Sequence, residues 1–280
     1  MTATAAGFAS GKSHRDENFP VASILLKRAH RAPVMAFYRF ARAADDVADS
    51  ETATAPEKLA LLGAMRLTLT GERDANVEAM ALRETLAERG LDARHALDLI
   101  SAFEQDCTVS RYPTWDALID YCRLSAMPVG RYVLDVHGED RATWPASDAL
   151  CAALQVINHL QDCAKDYRAL DRVYLPLDML EVAGASVANL GRPCATPALR
   201  SVIVALAARC EALLGESAGF AAQIRDRRLG IEVAIIHRLA VSLTKRLKFR
   251  DPLSQRVHHR APEALGLGAL AALSRLAGRP

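Results

Sequence analysis

Residues 37–49 read Phe37-Tyr38-Arg39-Phe40-Ala41-Arg42-Ala43-Ala44-Asp45-Asp46-Val47-Ala48-Asp49, and at about 100° per residue they wind into a helix with two distinct faces. Tyr38, Arg42, Asp45 and Asp49 share one. Phe37, Phe40, Ala41, Ala44 and Ala48 make the neighbouring apolar face, so the acidic pair projects from a packed helix. Two carboxylates one turn apart repel by roughly a few tenths of a kcal/mol, and a bound cation reverses that sign. Asp46 points about 100° away from Asp45 and reads as a surface or supporting carboxylate.

A second stretch carries the same signature. In Gln155-Val156-Ile157-Asn158-His159-Leu160-Gln161-Asp162-Cys163-Ala164-Lys165-Asp166, the residues Gln155, Asn158, Asp162 and Asp166 form a polar stripe on an otherwise apolar helix. Oxygen ligands spaced by one turn suit Mg²⁺, which takes one or two carboxylates and leaves its other positions to water and phosphate oxygens. A single D-x-x-x-D is usually a solvated helix face. Two of them, each with an aligned amide, arginine or tyrosine and apolar flanks, are much harder to produce as surface charge. The two pairs predict a clamp of two or three Mg²⁺ ions on a diphosphate.

Outward from these stretches the pattern stays helical. Apolar residues recur three and four apart through 34–48, 58–69, 76–89, 95–107, 115–136, 147–164, 197–222 and 229–248, and strand alternation is almost absent. Gly71, Gly90, Pro113, Gly138 and the stretch 184–197 fall where helices should end. Residues 1–16 are small and polar and read as a disordered start. Residues 17–280 read as one all-α domain of eight or more helices, with 184–197 as the sole candidate boundary.

Composition narrows the classes further. With 51% hydrophobic residues in 280 the chain can build a sizeable core, and its formal charge of +2 comes without a basic run that would suggest nucleic acid. The six cysteines show neither C-x-x-C nor zinc spacing, so a reducing cytoplasm is expected. No stretch approaches the roughly 18 apolar residues needed to span a bilayer. Gly7 to Ser13 falls one residue short of a P-loop and follows no strand. Gly266 to Ala271 reads G-x-G-x-x-A, but an apolar segment surrounds it and the chain ends before an acidic ribose ligand. No nicotinamide is expected, and no histidine shows ligand spacing for a metal.

Arg42 three residues before Asp45-x-x-x-Asp49, and Asn158-x-x-x-Asp162-x-x-x-Asp166 later, are the motifs by which the chain resembles the squalene/phytoene synthase family. Phe103-Glu104-Gln105-Asp106, Tyr121-Cys122-Arg123 and Arg172-Val173-Tyr174-Leu175-Pro176 extend the likeness over roughly residues 15–250. Within the family, Glu17 to Ser23, Tyr121 to Arg131 and Asn158 to Asp162 are most similar to the hydroxysqualene synthases of bacterial hopanoid pathways. The resemblance implies a terpenoid-synthase-like helical bundle with a central active-site cavity. It also implies conversion of presqualene diphosphate and water to hydroxysqualene and diphosphate, on the route to squalene and hopanoids.

Site roles come with the resemblance. Asp45, Asp49, Asn158, Asp162 and Asp166 would hold Mg²⁺. Arg42, Arg172 and Tyr174 would hold diphosphate oxygens, with Tyr38 and Gln155 on the same faces. Tyr121 would contact diphosphate or pass a proton. Asn18 would reach diphosphate, and Phe19 would line the prenyl tunnel. Where relatives carry an arginine before the second motif this chain has Gln161. Where they carry V-A-G it has Ser125-Ala126-Met127 followed by Pro128, whose kink is expected to let water reach the cation. His237 stands where relatives carry a tyrosine.

Two alternatives stay open: condensation of two prenyl diphosphates to presqualene diphosphate, squalene or a phytoene-type product, and a non-catalytic scaffold of the same fold. Pathway enzymes are candidate partners. The segment Ala264 to Leu273, closed by Arg275 and Arg279, suits either an interfacial helix on the inner face of the membrane or a terminal helix packed on the core.

Overall fold

Residue 126 is where one expected helix becomes two. The periodic run 115–136 folds as α5 (Trp115–Ser125) and α6 (Met127–His137), and Ala126 between them has φ −114° and ψ −47°. Pro128 sits at the second position of α6, in the first turn, where its missing N–H costs no helical hydrogen bond. The proline therefore starts a helix and does not bend one.

The computed structural model describes residues 26–276. They contain α1 (Arg28–Ala48), α2 (Ala55–Thr70), α3 (Val77–Arg89), α4 (Arg94–Asp106), α5 and α6. These are followed by α7 (Trp144–Leu170), α8 (Leu177–Val182), α9 (Pro197–Glu216), α10 (Phe220–Gln223), α11 (Arg227–Phe249) and α12 (Ala261–Leu276). The chain is all-α; an isolated parallel bridge between Arg111 and Val173 is the β pairing among the described residues. The expected run 197–222 stops at Glu216, and a short α10 follows.

Local chemistry fixes these ends. Thr54 and Glu57 form a capping box before α2, with Thr54 N donating to Glu57 Oε2 at 2.8 Å. Asn76 accepts from Ala79 N at 2.8 Å before α3. Each such cap is worth about 1 kcal/mol. Gly71 closes α2 at φ +83°, a left-handed conformation that a side chain would strain.

The chain divides into two compact units. One takes the chain up to Val109 together with Pro128–Arg141; the other takes Ser110–Met127 and Ala142 onward, so the break at 184–197 falls inside it. In the first, α1 packs on α2, α3 and α4 around Phe37, Phe40, Val47, Leu62, Met65, Leu82 and Ile100, all buried. Each such side chain contributes about 1.5–3 kcal/mol by leaving water. Tyr132 of α6 stacks on Phe37 with ring centroids 4.0 Å apart and donates its hydroxyl to Pro33 O at 3.1 Å.

In the second unit the 27-residue α7 packs against α5, α9 and α11, and α12 lies on α11. Ala152, Ala153, Val156, Ile157 and Leu160 are its buried side. Contacts between residues 110–112 and 171–177 pin the return of the chain after α7. Asp171 ends α7 at φ +50°, Arg111 Nη2 binds its carboxylate at 2.5 Å, Val173 N donates to Ser110 O at 2.9 Å and Leu177 N to Tyr112 O at 3.0 Å.

Candidate functional site

The acidic face of α1 is built from its own packing. Phe37, Phe40, Ala44, Val47 and Ala48 are buried, which leaves Tyr38, Arg42, Asp45 and Asp49 half-buried along the adjacent face. Arg42 spans two acids: its Nη1 donates to Asp45 Oδ2 at 2.6 Å and its Nη2 to Asp46 Oδ1 at 2.5 Å. Asp46 is therefore no surface carboxylate; it is 9% exposed and holds the guanidinium in place.

The charge state of Asp45 reports the crowding. Burial first, then the negative charge of Asp49, raise its carboxyl from the ordinary 3.8 to about 7; Arg42 opposes the rise, and Asp46 and Asp106 add to it. Asp106, at the end of α4 and within Phe103-Glu104-Gln105-Asp106, thus joins the cluster. Four carboxylates against one guanidinium leave an excess of hard oxygen donors, and a divalent cation is the group that removes their repulsion. The donor set fits Mg²⁺.

The stripe on α7 has the predicted composition. Gln155, Asn158, Asp162 and Asp166 are half-buried, whereas the rest of this stretch is mainly buried. His159 lies on the same stripe, and its Nε2 is 3.1 Å from Gln155 Nε2. The imidazole stacks on Tyr174 at a centroid distance of 3.5 Å and an interplanar angle of 12°. Tyr112 and Tyr121 complete the group, with Tyr121 5.2 Å from Tyr112, 5.8 Å from Tyr174 and 6.3 Å from His159. Burial, and secondarily the positive charge of Arg172, pull His159 down to about 3, so the ring is neutral. Asp162 Oδ1 lies 3.9 Å from His258 Nε2.

The sequence-predicted site residues within 26–276 lie on α1, α5, α7 or the segment just after α7. Asp45, Asp49, Arg42 and Tyr38 are together on α1; Gln155, Asn158, Asp162 and Asp166 are together on α7. Tyr121, Arg172 and Tyr174 are all buried, at 4%, 8% and 7% exposure, and Tyr121 and Tyr174 are in the aromatic group. Asn18 and Phe19 lie outside the described residues, as does the segment 1–16. His237 Nε2 donates to Leu214 O at 2.9 Å and so ties α11 to α9.

Asp46, Asp106, Tyr112 and His159 are the additions. The angle of His159, about 40° from Gln155 on the helical wheel, was the available signal. Cys122 and Cys163 supply no thiolate: burial pushes their thiols up to about 12, well above the thiolate range.

The squalene/phytoene synthase family profile matches residues 12–263. The hydroxysqualene synthase of Zymomonas mobilis is 56% identical over 274 residues, covering 97% of this chain and 92% of that one. The hydroxysqualene synthase of Rhodopseudomonas palustris is 54% identical over 249 residues, covering 89% and 85%. Among solved structures, the squalene synthase HpnC from Alicyclobacillus acidocaldarius superposes with a TM-score of 0.70 at 29% identity, covering 99% of this chain and 94% of that one.

Proposed function

Because the chain belongs to the squalene/phytoene synthase family, we propose that it converts presqualene diphosphate and water to hydroxysqualene and diphosphate. Its similarity, along nearly the whole length, to two hydroxysqualene synthases carries this reading. In the reaction the carbon–oxygen bond to diphosphate breaks, the cyclopropane opens, and a water oxygen bonds to the cation and gives up a proton. No electrons are exchanged, so no nicotinamide is needed.

The residues divide the work. Asp45, Asp49, Asn158, Asp162 and Asp166 hold Mg²⁺, with Asp106 beside the first pair. When bound, the ions neutralise the departing diphosphate. Arg42, occupied by Asp45 and Asp46, orients the acidic cluster. Arg172 offers a guanidinium to diphosphate oxygens. Tyr112, Tyr121, Tyr174 and neutral His159 present π faces to the carbocation, an attraction worth about 0.5–2 kcal/mol per ring. The neutral His159 ring adds no charge against that cation.

Purified protein given Mg²⁺ and presqualene diphosphate without nicotinamide should yield hydroxysqualene by mass spectrometry. Squalene formed only when NADPH is added would overturn the assignment.

The substrate is a long-chain amphiphile and the product an oil. No helix among the described residues is long and apolar enough to cross a membrane, and delivery at a membrane surface through α12 is part of the same proposal. Its leucines at 265, 270 and 273 face outward.

A further inference from the structure

The terminal helix packs and projects at once. Ala271 is buried, and Gly268 approaches α11 so closely that a Cβ there would lie 3.4 Å from Ile235 Cγ2. On the other side Leu265, Leu270 and Leu273 are 74%, 54% and 63% exposed. Beside that row, α10, α11 and α12 enclose a cavity of about 240 Å³. Its polar lining is Ser217, His237, Arg238, Ser274 and Arg275, and no carboxylate among the described residues lines it.

Two of those groups are already committed: His237 Nε2 bonds with Leu214 O at 2.9 Å, and Ser217 Oγ donates to the same oxygen at 3.2 Å. Arg238, Ser274 and Arg275 remain for a ligand. Gly230 lets the Ala221 carbonyl come close, since a Cβ there would lie 3.1 Å from Ala221 O, and the Arg275 Nε and Nη2 lie 3.7 Å from the same point. The Arg275 Nε is shut off from solvent and meets no acceptor among the described residues. A desolvated donor of this kind is expensive to leave unmade, so the Arg275 side chain gains by turning toward an anion in the cavity.

A guanidinium offers parallel donors that match phosphate oxygens. Ser274 stands one turn beyond Leu270, so the mouth of the cavity adjoins the leucine row. The acid of α12, Glu263, stands in its first turn and is held by Arg246 Nη2 at 3.0 Å, whereas Arg275 stands in its last turn, so the cavity end of the helix is basic. We propose that the cavity takes the phosphate of an anionic membrane lipid while Leu265, Leu270 and Leu273 enter the lipid surface. A free phosphate would give the exposed leucines no partner. The inference rests on the membrane-delivery reading and assigns it a headgroup site.

Vesicle flotation of the full chain tests it, with phosphatidylcholine vesicles compared with vesicles that also contain phosphatidylglycerol. Binding to the anionic vesicles should weaken about five-fold in Arg238→Ala or Arg275→Ala and about thirty-fold in the double variant. Turnover of detergent-dispersed substrate should be unchanged, which shows that the double variant is folded. Arg73→Ala with Arg192→Ala removes equal charge elsewhere and should bind as the unmodified protein does. Equal loss in that control, or full binding by the double variant, would overturn the site. If the unmodified protein floats equally with both vesicles, the headgroup site fails and the membrane contact stands. If it floats with neither, the membrane reading itself fails.

Discussion

His159 lies flat against Tyr174, with ring centroids 3.5 Å apart and planes 12° from parallel. The contact joins the polar stripe of α7 to the segment that returns after the left-handed turn at Asp171. Burial, and then Arg172, lower His159 to about 3, so the stacked ring is neutral.

Linkage gives this a measurable sign. An unfolded-chain histidine titrates near 6.5, so between about pH 6.5 and pH 3 the unfolded state binds a proton that the native state refuses. Stability therefore falls on acidification through that window. A His159→Phe variant keeps the stack and loses the titration. Its melting temperature should depend less on pH between about 7 and 5 than that of the unmodified protein, and parallel curves would contradict the buried neutral ring.

Asp45 has the opposite sign. Its native value of about 7 against the ordinary 3.8 means that the folded metal-free protein binds the extra proton between these limits. Stability is present below the lower value and is lost as pH rises through the upper one. Mg²⁺ must displace that proton below neutrality. Its affinity should fall roughly ten-fold per pH unit below about 7, as read by calorimetry or by the Mg²⁺-induced rise in melting temperature. In Asp45→Asn the residual Mg²⁺ affinity should lose this pH dependence; retention of the full slope would reassign the proton.

The Arg42–Asp46 contact at 2.5 Å predicts a cost for a residue with no place in the D-x-x-x-D pattern. Asp46→Asn frees one arm of the guanidinium and loosens the hold on Asp45. Supporting contacts of this type typically cost 10–100-fold in metal affinity or activity when removed, so a loss of roughly that size is expected. An apparent Mg²⁺ requirement unchanged from the unmodified protein would return Asp46 to a purely structural role.

These residues show what the sequence made legible. Apolar spacing sufficed for α1 and α7, because one buried side and one polar stripe repeat there over several turns. For Asp46 the helical wheel could not choose between a surface and a supporting carboxylate, because it treats side chains as stubs, whereas Arg42 is long enough to reach round to it. His159 and Tyr112 needed tertiary information: they meet Tyr174 only because Asp171 adopts φ +50° and the backbone of 110–112 pairs with 173–177. No local pattern encodes that return. The family motifs named the remaining residues, including Asn18 and Phe19, by resemblance alone.

Tyr132 offers a stability test remote from the acids. Its ring is 1% exposed, and its hydroxyl donates to Pro33 O at 3.1 Å. Tyr132→Phe retains the stack on Phe37 and should cost about 1 kcal/mol, the net worth of one such bond. For a chain of this size that is a fall of roughly 2–4 °C in melting temperature, with the product distribution unchanged. A neutral result would mean that the carbonyl finds another donor.

Pro128 carries the last prediction. Helix α5 ends at Ser125, one turn after Tyr121, and Ser125 Oγ donates back to Tyr121 O at 3.0 Å; α6 then starts at Met127. Proline at the second helical position tolerates replacement well, so Pro128→Ala should change stability by less than about 1 kcal/mol. It also restores an amide N–H, and with it the option of a continuous helix through 115–137. That option would shift the backbone below Tyr121, where the break is proposed to give water its access to the cation. The expected outcome is a larger share of non-hydroxylated hydrocarbon among the products, measured by mass spectrometry at matched turnover. An unchanged product ratio in a folded Pro128→Ala variant would remove the break from the account of water capture and leave the choice of product to the aromatic residues around Tyr174.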